Sequence, residues 1–557
     1  MISITEFTLT ELFTKAVGSY GPQRMCGMVD SEGFTYAQWG SWVLSLRERL
    51  IARGLKPGDR AAILGENSPY WTMAYFAVVT AGAVAVPILN DFHQREIENI
   101  LIHSEAKMAL VAKKYLPKIG AYGQDESNQV LELDGITPPD REIDLVRELS
   151  ALPKASKDDL ASLIYTSGTT GMSKGVMLTH GNIMYDGEVS ARSFIKLNPG
   201  EKMLSILPLS HSYEFTIGLI LGMIGGQDTY YLGRPPMASV LLPALEKVKP
   251  HIMLSVPLLI EKVYRGSVRQ KIQKSGLLRL LTRIPFMRKV IHRKAGKQLK
   301  ERFGGRLKFF GVGGAPLDRE VERFLQEAKF PYGIGYGLTE TAPLLAGCAP
   351  SWTRLASTGK VLDIVEMRIA DPHPETGEGE IQVRGPNVMQ GYYQDEEATK
   401  EAFTEDGWFR TGDLGIFDKD DFLYIKGRQK NMILGPNGEN IYPESIESVI
   451  NSFDFVEESI VLPSSDGLVA QVKLDLEAFS EHIKDAADQA GTHAREYAES
   501  LLHSINKELN VNSRVRKVKL LMEPLVRTPT KKIKRFLYRG DEDETKQDEN
   551  HEDKRKK

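Results

Sequence analysis

Residues 165–182 read YTSGTTGMSKGVMLTHGN and come directly after the apolar run Leu163–Ile164. An apolar run of this kind predicts a strand, and this strand leads into a loop of glycine and hydroxyl residues. Glycine lets backbone N–H groups approach an anion, hydroxyl groups donate further hydrogen bonds, and Lys174 adds a positive charge. The loop is therefore a candidate phosphate site. Its candidate contacts are Thr166, Ser167, Gly168, Thr169, Thr170, Gly171 and Lys174.

The spacing within this loop excludes a Walker-type phosphate loop. In that motif a glycine precedes the lysine and a serine or threonine follows it, whereas here Ser173 precedes Lys174 and Gly175 follows it. The next apolar run, at 176–179, predicts a second strand, so the loop joins strand to strand without a helix N-terminus to share the charge. Read alone, the stretch is equally compatible with an ordinary glycine-rich hairpin turn.

The composition indicates a globular protein with more than one domain. The chain has 557 residues, about twice the roughly 250–300 residues at which a single core stops growing. A net charge of −3, with 26% charged residues, gives no reason to expect nucleic acid as a partner. Two cysteines, Cys26 and Cys348, argue against a disulfide framework. The N-terminus does not resemble a signal peptide, so a cytoplasmic protein is expected.

Hydrophobic periodicity predicts the fold class and a domain boundary. Between residues 30 and 400, short apolar runs alternate with helical patterns, which predicts an α/β fold. The uncharged stretch Trp71–Leu89 is interrupted by Gly82 and Pro87, so we interpret it as a buried helix followed by a buried strand. The pattern restarts after about residue 426, where a second domain is expected. Residues 541–557 are almost entirely polar and charged, which predicts a disordered tail.

Residues 262–308 form a strongly basic segment, with sixteen lysines and arginines against one acid, Glu301. Apolar residues are interspersed among the cations: Leu277, Leu278, Leu280, Leu281, Ile284, Phe286 and Met287. Such a segment is compatible with peripheral contact with an anionic membrane, here the inner face of the cell membrane. A solvated helical face packed on its own domain explains the same pattern.

The quoted stretch resembles the phosphate-loop motif of the adenylate-forming superfamily. That superfamily contains acyl-CoA synthetases, the adenylation domains of peptide synthetases and firefly luciferases. The resemblance extends over residues 30–537 through several motifs in the family's order. It implies a large N-terminal α/β domain of several sheets at 1–427 and a small mobile α+β domain at 428–540, followed by the tail at 541–557.

The resemblance assigns nucleotide and metal binding to three further motifs. The matching residues are Gly313, Gly314, Ala315, Gly335, Tyr336, Gly337, Leu338, Thr339, Glu340 and Asp413. In these motifs the tyrosine ring stacks on adenine, the threonine meets the α-phosphate and the glutamate binds Mg²⁺. Asp413, in WFRTGDLG, would accept hydrogen bonds from both ribose hydroxyls.

Four residues further along the chain match the family's moving parts. Arg428 would lie near the ribose and phosphates, and Lys430 would be the hinge. Gly438 would line the channel for the thiol, and Lys532, in RTPTKKIKR, would be the catalytic lysine that bridges carboxylate and phosphate. The family more often has glycine at the position before this lysine, where the chain has Lys531, so the neighbouring lysines remain alternatives.

The implied activity is ATP-dependent conversion of a long-chain fatty acid to an acyl-adenylate, with coenzyme A as the acceptor in the second step. His211 lies in a segment, LPLSHSYEF, that resembles the acyl pocket, and an insertion at 266–300 is typical of long-chain acyl-CoA synthetases. One alternative is a ligase that loads an acyl carrier protein. Another is a non-catalytic nucleotide-binding scaffold of the same fold.

Overall fold

The computed structural model describes residues 1–166, 173–434, 440–464, 467–475, 479, 487–510, 513–528 and 533–538. Five β-sheets with helices packed on them make up the fold, which confirms the predicted α/β class. Several expectations fall outside these residues: the phosphate contacts from Ser167 to Gly171, the channel residue Gly438, the catalytic Lys532 and the charged tail.

The largest sheet has nine strands. Across it the strands run Lys360–Val361, Leu344–Gly347, Tyr332–Gly337, Phe309–Val312, Ile252–Ser255, Lys202–Ser205, Asp228–Tyr231, Arg24–Met28 and Phe34–Thr35. The six strands from Tyr332–Gly337 to Arg24–Met28 are parallel, and antiparallel strands close both edges. The carboxyl ends of parallel strands meet at one edge, where open α/β sheets bind ligands. The segments that follow Ser205, Val312 and Gly337 therefore lie at the same edge.

The second sheet has seven strands. They run Gly391–Tyr392, Lys174–Thr179, Leu160–Thr166, Val84–Ile88, Arg60–Leu64, Met108–Val111 and Gln129–Glu132. The first two strands are antiparallel to their neighbours and the rest are parallel. In the antiparallel pair, Thr166 faces Lys174. The glycine-rich loop therefore joins two paired strands, as the sequence predicts.

Three smaller sheets lie in the C-terminal half. A four-stranded antiparallel sheet runs Glu366–Ala370, Gly379–Arg384, Phe409–Phe417 and Leu423–Arg428. A two-stranded sheet pairs Ile433–Leu434 with Asn440–Ile441. A three-stranded sheet runs Val456–Ser464, Gly467–Leu474 and Val515–Leu521. The third sheet and its helices enclose a hydrophobic core that is separate from those of the two large sheets.

Helices connect and cover these sheets. The α-helices are Leu9–Tyr20, Tyr36–Ala52, Pro69–Thr80, Gln94–His103, Leu145–Ser150, His180–Ser193, Leu221–Gly225, Ala238–Val248, Pro257–Val263, Gln270–Lys274, Gly276–Leu281, Pro285–Arg302, Arg319–Glu327, Glu396–Ala402, Pro443–Asn451 and Ala487–Glu508. The 3₁₀ segments are Lys113–Gln124, Leu133–Gly135, Thr339–Thr341, Gln429–Asn431 and Arg535–Tyr538. Two π-helical segments are Tyr213–Ile220 and Tyr264–Arg269.

Local capping chemistry explains where key helices begin. Thr179 Oγ1 accepts a hydrogen bond from Asn182 N at 3.0 Å, and Asn182 Oδ1 accepts one from Thr179 N at 2.9 Å. This reciprocal cap starts the helix His180–Ser193 immediately after the strand that ends at Thr179. The THGN end of the quoted stretch therefore ends the strand and begins the helix. Asn182 Nδ2 also donates to the carbonyls of Pro386 and Val388, which ties this turn to the loop before Gly391.

The uncharged stretch 71–89 is buried, first as a helix and then as a strand of the seven-stranded sheet. The helix Pro69–Thr80 is buried almost throughout, and the strand Val84–Ile88 is buried at every position. This confirms the interpretation of a buried helix followed by a buried strand. Among the described residues, no helix combines the length and hydropathy needed to cross a bilayer.

Candidate active site

Three sequence motifs meet at the carboxylate of Asp413. Tyr336 Oη donates a hydrogen bond to Asp413 Oδ2 at 2.8 Å, and Arg428 Nε lies 2.7 Å from Asp413 Oδ1. Asp413 and Arg428 face each other across the strands Phe409–Phe417 and Leu423–Arg428, and Tyr336 reaches them from the nine-stranded sheet. Asp413 is only 4% exposed. Two sheets therefore cooperate to hold one buried anion in a fixed position.

Asp413 is the candidate acceptor for ribose hydroxyl groups, and its two neighbours fix its orientation. A carboxylate oxygen has two lone pairs, so it can accept more than one hydrogen bond. Burial and the negative charge of Asp413 both raise the pKa of Tyr336 well above its usual value, which keeps the phenol protonated as a donor. Tyr336 and Arg428 thus hold the carboxylate in one orientation.

The metal candidate Glu340 belongs to a second group of contacts. Tyr392 Oη donates to Glu340 Oε1 at 3.0 Å, and Lys174 Nζ lies 4.8 Å from the centre of the Tyr392 ring. Met389 N donates to the Glu340 carbonyl at 2.8 Å. The strand Gly391–Tyr392 pairs with the strand Lys174–Thr179. Tyr392 therefore links the phosphate-loop lysine to the candidate metal ligand.

Arg428 connects the two groups electrostatically. Burial lowers the pKa of Arg428, but the negative charges of Asp413 and Glu340 and the Tyr336 phenol outweigh burial and hold the pKa above its usual value. The Arg428 side chain is still 42% exposed. A cation that is fixed on one side and open on the other is suited to meet a phosphate.

The turn that carries Thr339 and Glu340 is tightly braced. Leu338 N donates to Thr341 Oγ1 at 3.1 Å, and Asn387 Nδ2 donates to the Thr341 carbonyl at 2.9 Å. Behind the turn, Asp186 Oδ2 accepts a hydrogen bond from Leu344 N at 2.5 Å. Asp186 is fully buried, and burial raises its pKa to about 8. Burial therefore favours the neutral form of this carboxyl group, which supports the turn from behind.

Glycine is required at two positions in the adenine-side segments. Gly337 ends its strand so close to the next turn that a Cβ there would lie 1.8 Å from the carbonyl oxygen of Pro343. Gly314 has a φ of +85°, a conformation that favours glycine. Together with Gly313 and Ala315 it follows the strand Phe309–Val312 at the ligand-binding edge of the sheet. The backbone there is open to a flat ligand.

His211 lies at the same edge, after the strand Lys202–Ser205. It is half-buried, and its Nδ1 accepts a hydrogen bond from Tyr213 N at 3.2 Å. The Tyr213 ring packs beside the adenine-side glycines: a Cβ on Gly313 would lie 3.2 Å from it. The predicted acyl segment and the predicted adenine segment are thus in contact through Tyr213.

The sequence interpretation missed four residues of this region. Tyr392, Asp186 and Asn67 lie outside the quoted motifs, and Glu214 lies in the segment LPLSHSYEF without an assigned role. Asn67 Nδ2 donates to the Leu207 carbonyl at 2.6 Å, and Asn67 Oδ1 accepts from Leu209 N at 2.8 Å, which fixes the approach to His211. Glu214 is 1% exposed, and burial raises its pKa to about 8. Only an aligned motif covering GYY at 391–393 could have indicated Tyr392.

The described side chains suit one kind of magnesium site. Within the described ranges there is no cluster of three or more potential metal-ligating side chains. Mg²⁺ commonly takes one or two carboxylates and completes its shell with phosphate oxygens and water. A single carboxylate such as Glu340 therefore fits a magnesium ion that arrives with a nucleotide, and does not fit a metal held by the protein alone.

Comparisons with known proteins show the family of the chain. A family model described as AMP-binding enzyme matches residues 15–393. The chain is 29% identical over 534 residues to the long-chain-fatty-acid–CoA ligase FadD15 of Mycobacterium bovis, with 87% of each chain covered. It is 28% identical over 464 residues to 4-coumarate–CoA ligase 1 of Petroselinum crispum, with 79% of each chain covered.

A solved structure extends the likeness over nearly the whole chain. The crystal structure of ATP-bound MatB from Rhodopseudomonas palustris superposes with a TM-score of 0.75 and 25% identity, and the match covers 95% of this chain and 98% of that one. The family model spans more than half of the sequence, and the fold of the whole chain matches the same kind of enzyme. The chain therefore belongs to the AMP-binding enzyme family, within the adenylate-forming superfamily that its motifs resemble.

Proposed function

We propose that the chain is an ATP-dependent, AMP-forming acid–CoA ligase that activates a long-chain fatty acid. The observation that carries the proposal is the meeting of Tyr336, Asp413 and Arg428 at one buried carboxylate. An aromatic ring, an acceptor for hydroxyl groups and a half-exposed cation together match the base, ribose and phosphate of a nucleotide. Family membership and the likeness to ATP-bound MatB support the same ligand.

The proposed chemistry has two steps. A carboxylate oxygen of the acid attacks the α-phosphorus of ATP, the bond to the β-phosphate oxygen breaks, and pyrophosphate leaves. The thiolate of coenzyme A then attacks the acyl carbon, the bond to the phosphate oxygen breaks, and AMP leaves with the electron pair. Bound Mg²⁺ would supply charge neutralisation next to Glu340. For phosphoryl centres the protein contributes mainly positioning and positive charge, here from Lys174 and Arg428.

The proposal divides the chain into a large domain at 1–427 and a small mobile domain at 428–540. The small domain would rotate about Lys430, presenting Lys532 in the first step and the Gly438 face in the second. In support, the residues from Ile441 to Val515 have a hydrophobic core of their own. Lys430 lies in the short 3₁₀ turn Gln429–Asn431, between the last strand of one sheet and the small sheets that follow.

The proposal also names the acid that the enzyme activates. The likeness to FadD15 and the segment 207–215, with His211 as a proposed substrate contact, favour a long-chain fatty acid. The likeness to a 4-coumarate ligase is of similar strength, so an aromatic acid is the competing substrate. The competing acceptor is the phosphopantetheine thiol of an acyl carrier protein in place of free coenzyme A.

The proposal includes a reducing, cytoplasmic location. Both cysteines are free and buried, and burial raises the pKa of the Cys348 thiol to about 11. A buried, protonated thiol is chemically inert and needs no partner cysteine. The proposed partners are the acid, ATP and coenzyme A. The net charge of −3 gives no support for nucleic acid as a partner.

One experiment tests activity, substrate and acceptor together. Purified full-length chain is incubated with ATP and Mg²⁺, and pyrophosphate release is measured over saturated acids from butanoate to stearate, with oleate and 4-coumarate. Thioester formation is then measured with coenzyme A and separately with a loaded carrier protein. We expect release to rise with chain length and the thioester to form with coenzyme A. Asp413→Ala is the matched inactive control.

Three outcomes would overturn parts of the proposal separately. Release only with 4-coumarate would overturn the fatty-acid assignment, and thioester formation only with carrier protein would overturn coenzyme A as acceptor. Absence of release with every acid, in a chain that still binds ATP, would favour the non-catalytic scaffold.

A further inference from the structure

The helix Pro285–Arg302 has two faces of opposite character. His292, Gly296 and Leu299 are buried and lie on the side that packs on the domain. Phe286 is 73% exposed and Val290 is 45% exposed. At 3.6 residues per turn, Phe286 and Val290 share a stripe that is well away from the buried one. The packed face and the exposed apolar stripe are therefore different surfaces of one helix.

The preceding helix and turn also carry exposed apolar side chains. Leu277 is 67% exposed, Leu280 is 60% exposed and Ile284 is 51% exposed. We call these three residues, with Phe286 and Val290, the apolar patch. Single exposed apolar side chains are normal on protein surfaces, but five of them within fourteen consecutive positions form a group. Packing on the chain's own domain explains the buried face and leaves the patch unexplained.

Cations surround the apolar patch without acids to balance them. Arg279, Arg283, Lys289 and Arg293 are exposed, and residues 276–293 contain no aspartate or glutamate. Throughout the described ranges, no ion pair involves any of these four. Arg288 shows the contrast, since its guanidinium is bound to Glu327 at 2.8 Å. The four cations are therefore available to an external anion.

A cleft beside the patch also combines apolar and positively charged side chains. It has a volume of about 220 Å³ and opens between the helices Gln270–Lys274 and Pro285–Arg302. Ile272 and Leu278 give it an apolar lining, and Lys271, Lys294 and Arg302 supply positive charge. An amphiphile with an anionic head matches both the cleft and the patch.

We propose that the segment 276–294 docks the protein on the surface of an anionic lipid bilayer. The apolar patch would insert among the acyl chains at the interface, while the cations contact the headgroups. A soluble polyanion would leave five apolar side chains in water. A symmetric contact between two copies of the chain would place like charges against each other. The proposal concerns binding alone and does not rest on ligase activity.

Vesicle flotation with the full chain tests the proposal. The probes are vesicles of phosphatidylcholine and vesicles of phosphatidylcholine with phosphatidylglycerol. We expect binding to the anionic vesicles that weakens as salt increases. Replacing Arg279, Arg283 and Arg293 by glutamine should weaken the partition coefficient about a hundredfold, since each cation near the surface contributes about 1 kcal/mol, a factor of about five. Phe286→Ser with Leu280→Ser should also abolish flotation.

Matched controls separate docking from misfolding. Ile102, 66% exposed, and Val146, 84% exposed, lie elsewhere on the chain, and Ile102→Ser with Val146→Ser should leave flotation unchanged. Thermal unfolding of every variant checks the fold. No flotation with anionic vesicles at low salt, or equal loss in the patch and control variants, would overturn the proposal. So would capture by heparin without vesicle binding, or a dimer that Phe286→Ser dissociates.

Discussion

Arg269 Nη2 lies 3.0 Å from Asp454 Oδ1, so an ion pair joins the basic segment of the N-terminal part to the C-terminal part. Gln273 Nε2 donates to the same oxygen at 3.0 Å. Under the proposed domain division, these contacts bridge the two domains far along the chain from Lys430. A rotation of the small domain about Lys430 would separate these contacts. The contacts therefore stabilise one of the two proposed orientations of the small domain over the other.

The first prediction concerns this bridge. Asp454→Ala should change the ratio of the two half-reaction rates by up to about fivefold, because an exposed ion pair contributes about 0.2–1 kcal/mol. The half-reactions are measured separately, as pyrophosphate exchange and as thioester formation from supplied acyl-adenylate. Glu48→Ala, which removes an exposed partner of Arg141, is the control and should leave the ratio unchanged. An unchanged ratio in both Asp454→Ala and Arg269→Ala would exclude the bridge from the switch.

The second prediction concerns Tyr336. Tyr336→Phe removes the hydrogen bond to the buried Asp413 carboxylate. Hydrogen bonds to charged groups contribute about 1.5–3 kcal/mol, so kcat/KM for ATP should fall roughly ten- to hundredfold. Tyr75→Phe is the matched control, since Tyr75 is also buried and donates to Ser162 at 3.1 Å. The control should lower the Tm and leave kcat/KM for ATP near the original value. Equal kinetic losses in both variants would indicate a purely structural role for Tyr336.

The third prediction tests the link between the phosphate loop and the metal candidate. Tyr392→Phe leaves Glu340 Oε1 without its phenol donor. Loss of a group that orients a metal ligand typically weakens metal binding by roughly ten- to hundredfold, so the Mg²⁺ concentration for half-maximal rate should rise accordingly. This concentration is measured by following the rate of pyrophosphate release as Mg²⁺ is titrated. Tyr393→Phe is the control, because the neighbouring phenol contacts Glu105. If both variants titrate like the original chain, Tyr392 does not position Glu340.

Much of the site was predictable from motifs because its residues lie in short, ordered segments. Tyr336 lies in a strand that leads directly into the turn of Glu340, and Asp413 and Arg428 are paired across one hairpin. The supports of these residues were not predictable. Asp186 and Tyr392 contact the site only because distant strands and helices pack together, and a single buried acid in a helix has no distinctive local pattern. The exposure of Leu277 and Phe286 is likewise a property of tertiary packing, since helical periodicity alone does not say which face is covered.

The fourth prediction concerns pH. Burial raises the pKa of Asp186 to about 8, while the unfolded chain has an ordinary carboxyl pKa near 3.9. Between these values the folded state binds the proton that the unfolded state has released. The contribution to stability is therefore complete below about pH 4 and is lost as the pH rises towards 8. Asp186 accepts hydrogen bonds from Leu344 N and from the Ser190 hydroxyl. Asn at this position stays neutral, and its side-chain oxygen can accept the hydrogen bond from Leu344 N.

Asp186→Asn should therefore unfold at a Tm that exceeds that of the original chain by a margin that widens from pH 5 to pH 8. Glu214→Gln should also raise the Tm by a margin that widens with pH, because burial raises the pKa of Glu214 to about 8. Thermal unfolding across this pH range measures both. A margin that shrinks with rising pH would mean that these carboxyl groups are ionised in the folded chain.

The last prediction separates the two proposed half-reactions. Lys532 is assigned to bridge the carboxylate and the phosphate, an interaction needed only while the acyl-adenylate forms. Lys532→Ala should abolish adenylation and largely preserve thioester formation from supplied acyl-adenylate. Lys531→Ala and Lys534→Ala are matched controls for the register of RTPTKKIKR, since each removes one neighbouring positive charge. Equal loss of both half-reactions in Lys532→Ala would contradict the proposed role of Lys532. If Lys531→Ala or Lys534→Ala loses adenylation while Lys532→Ala retains it, the catalytic lysine is the residue replaced in that variant.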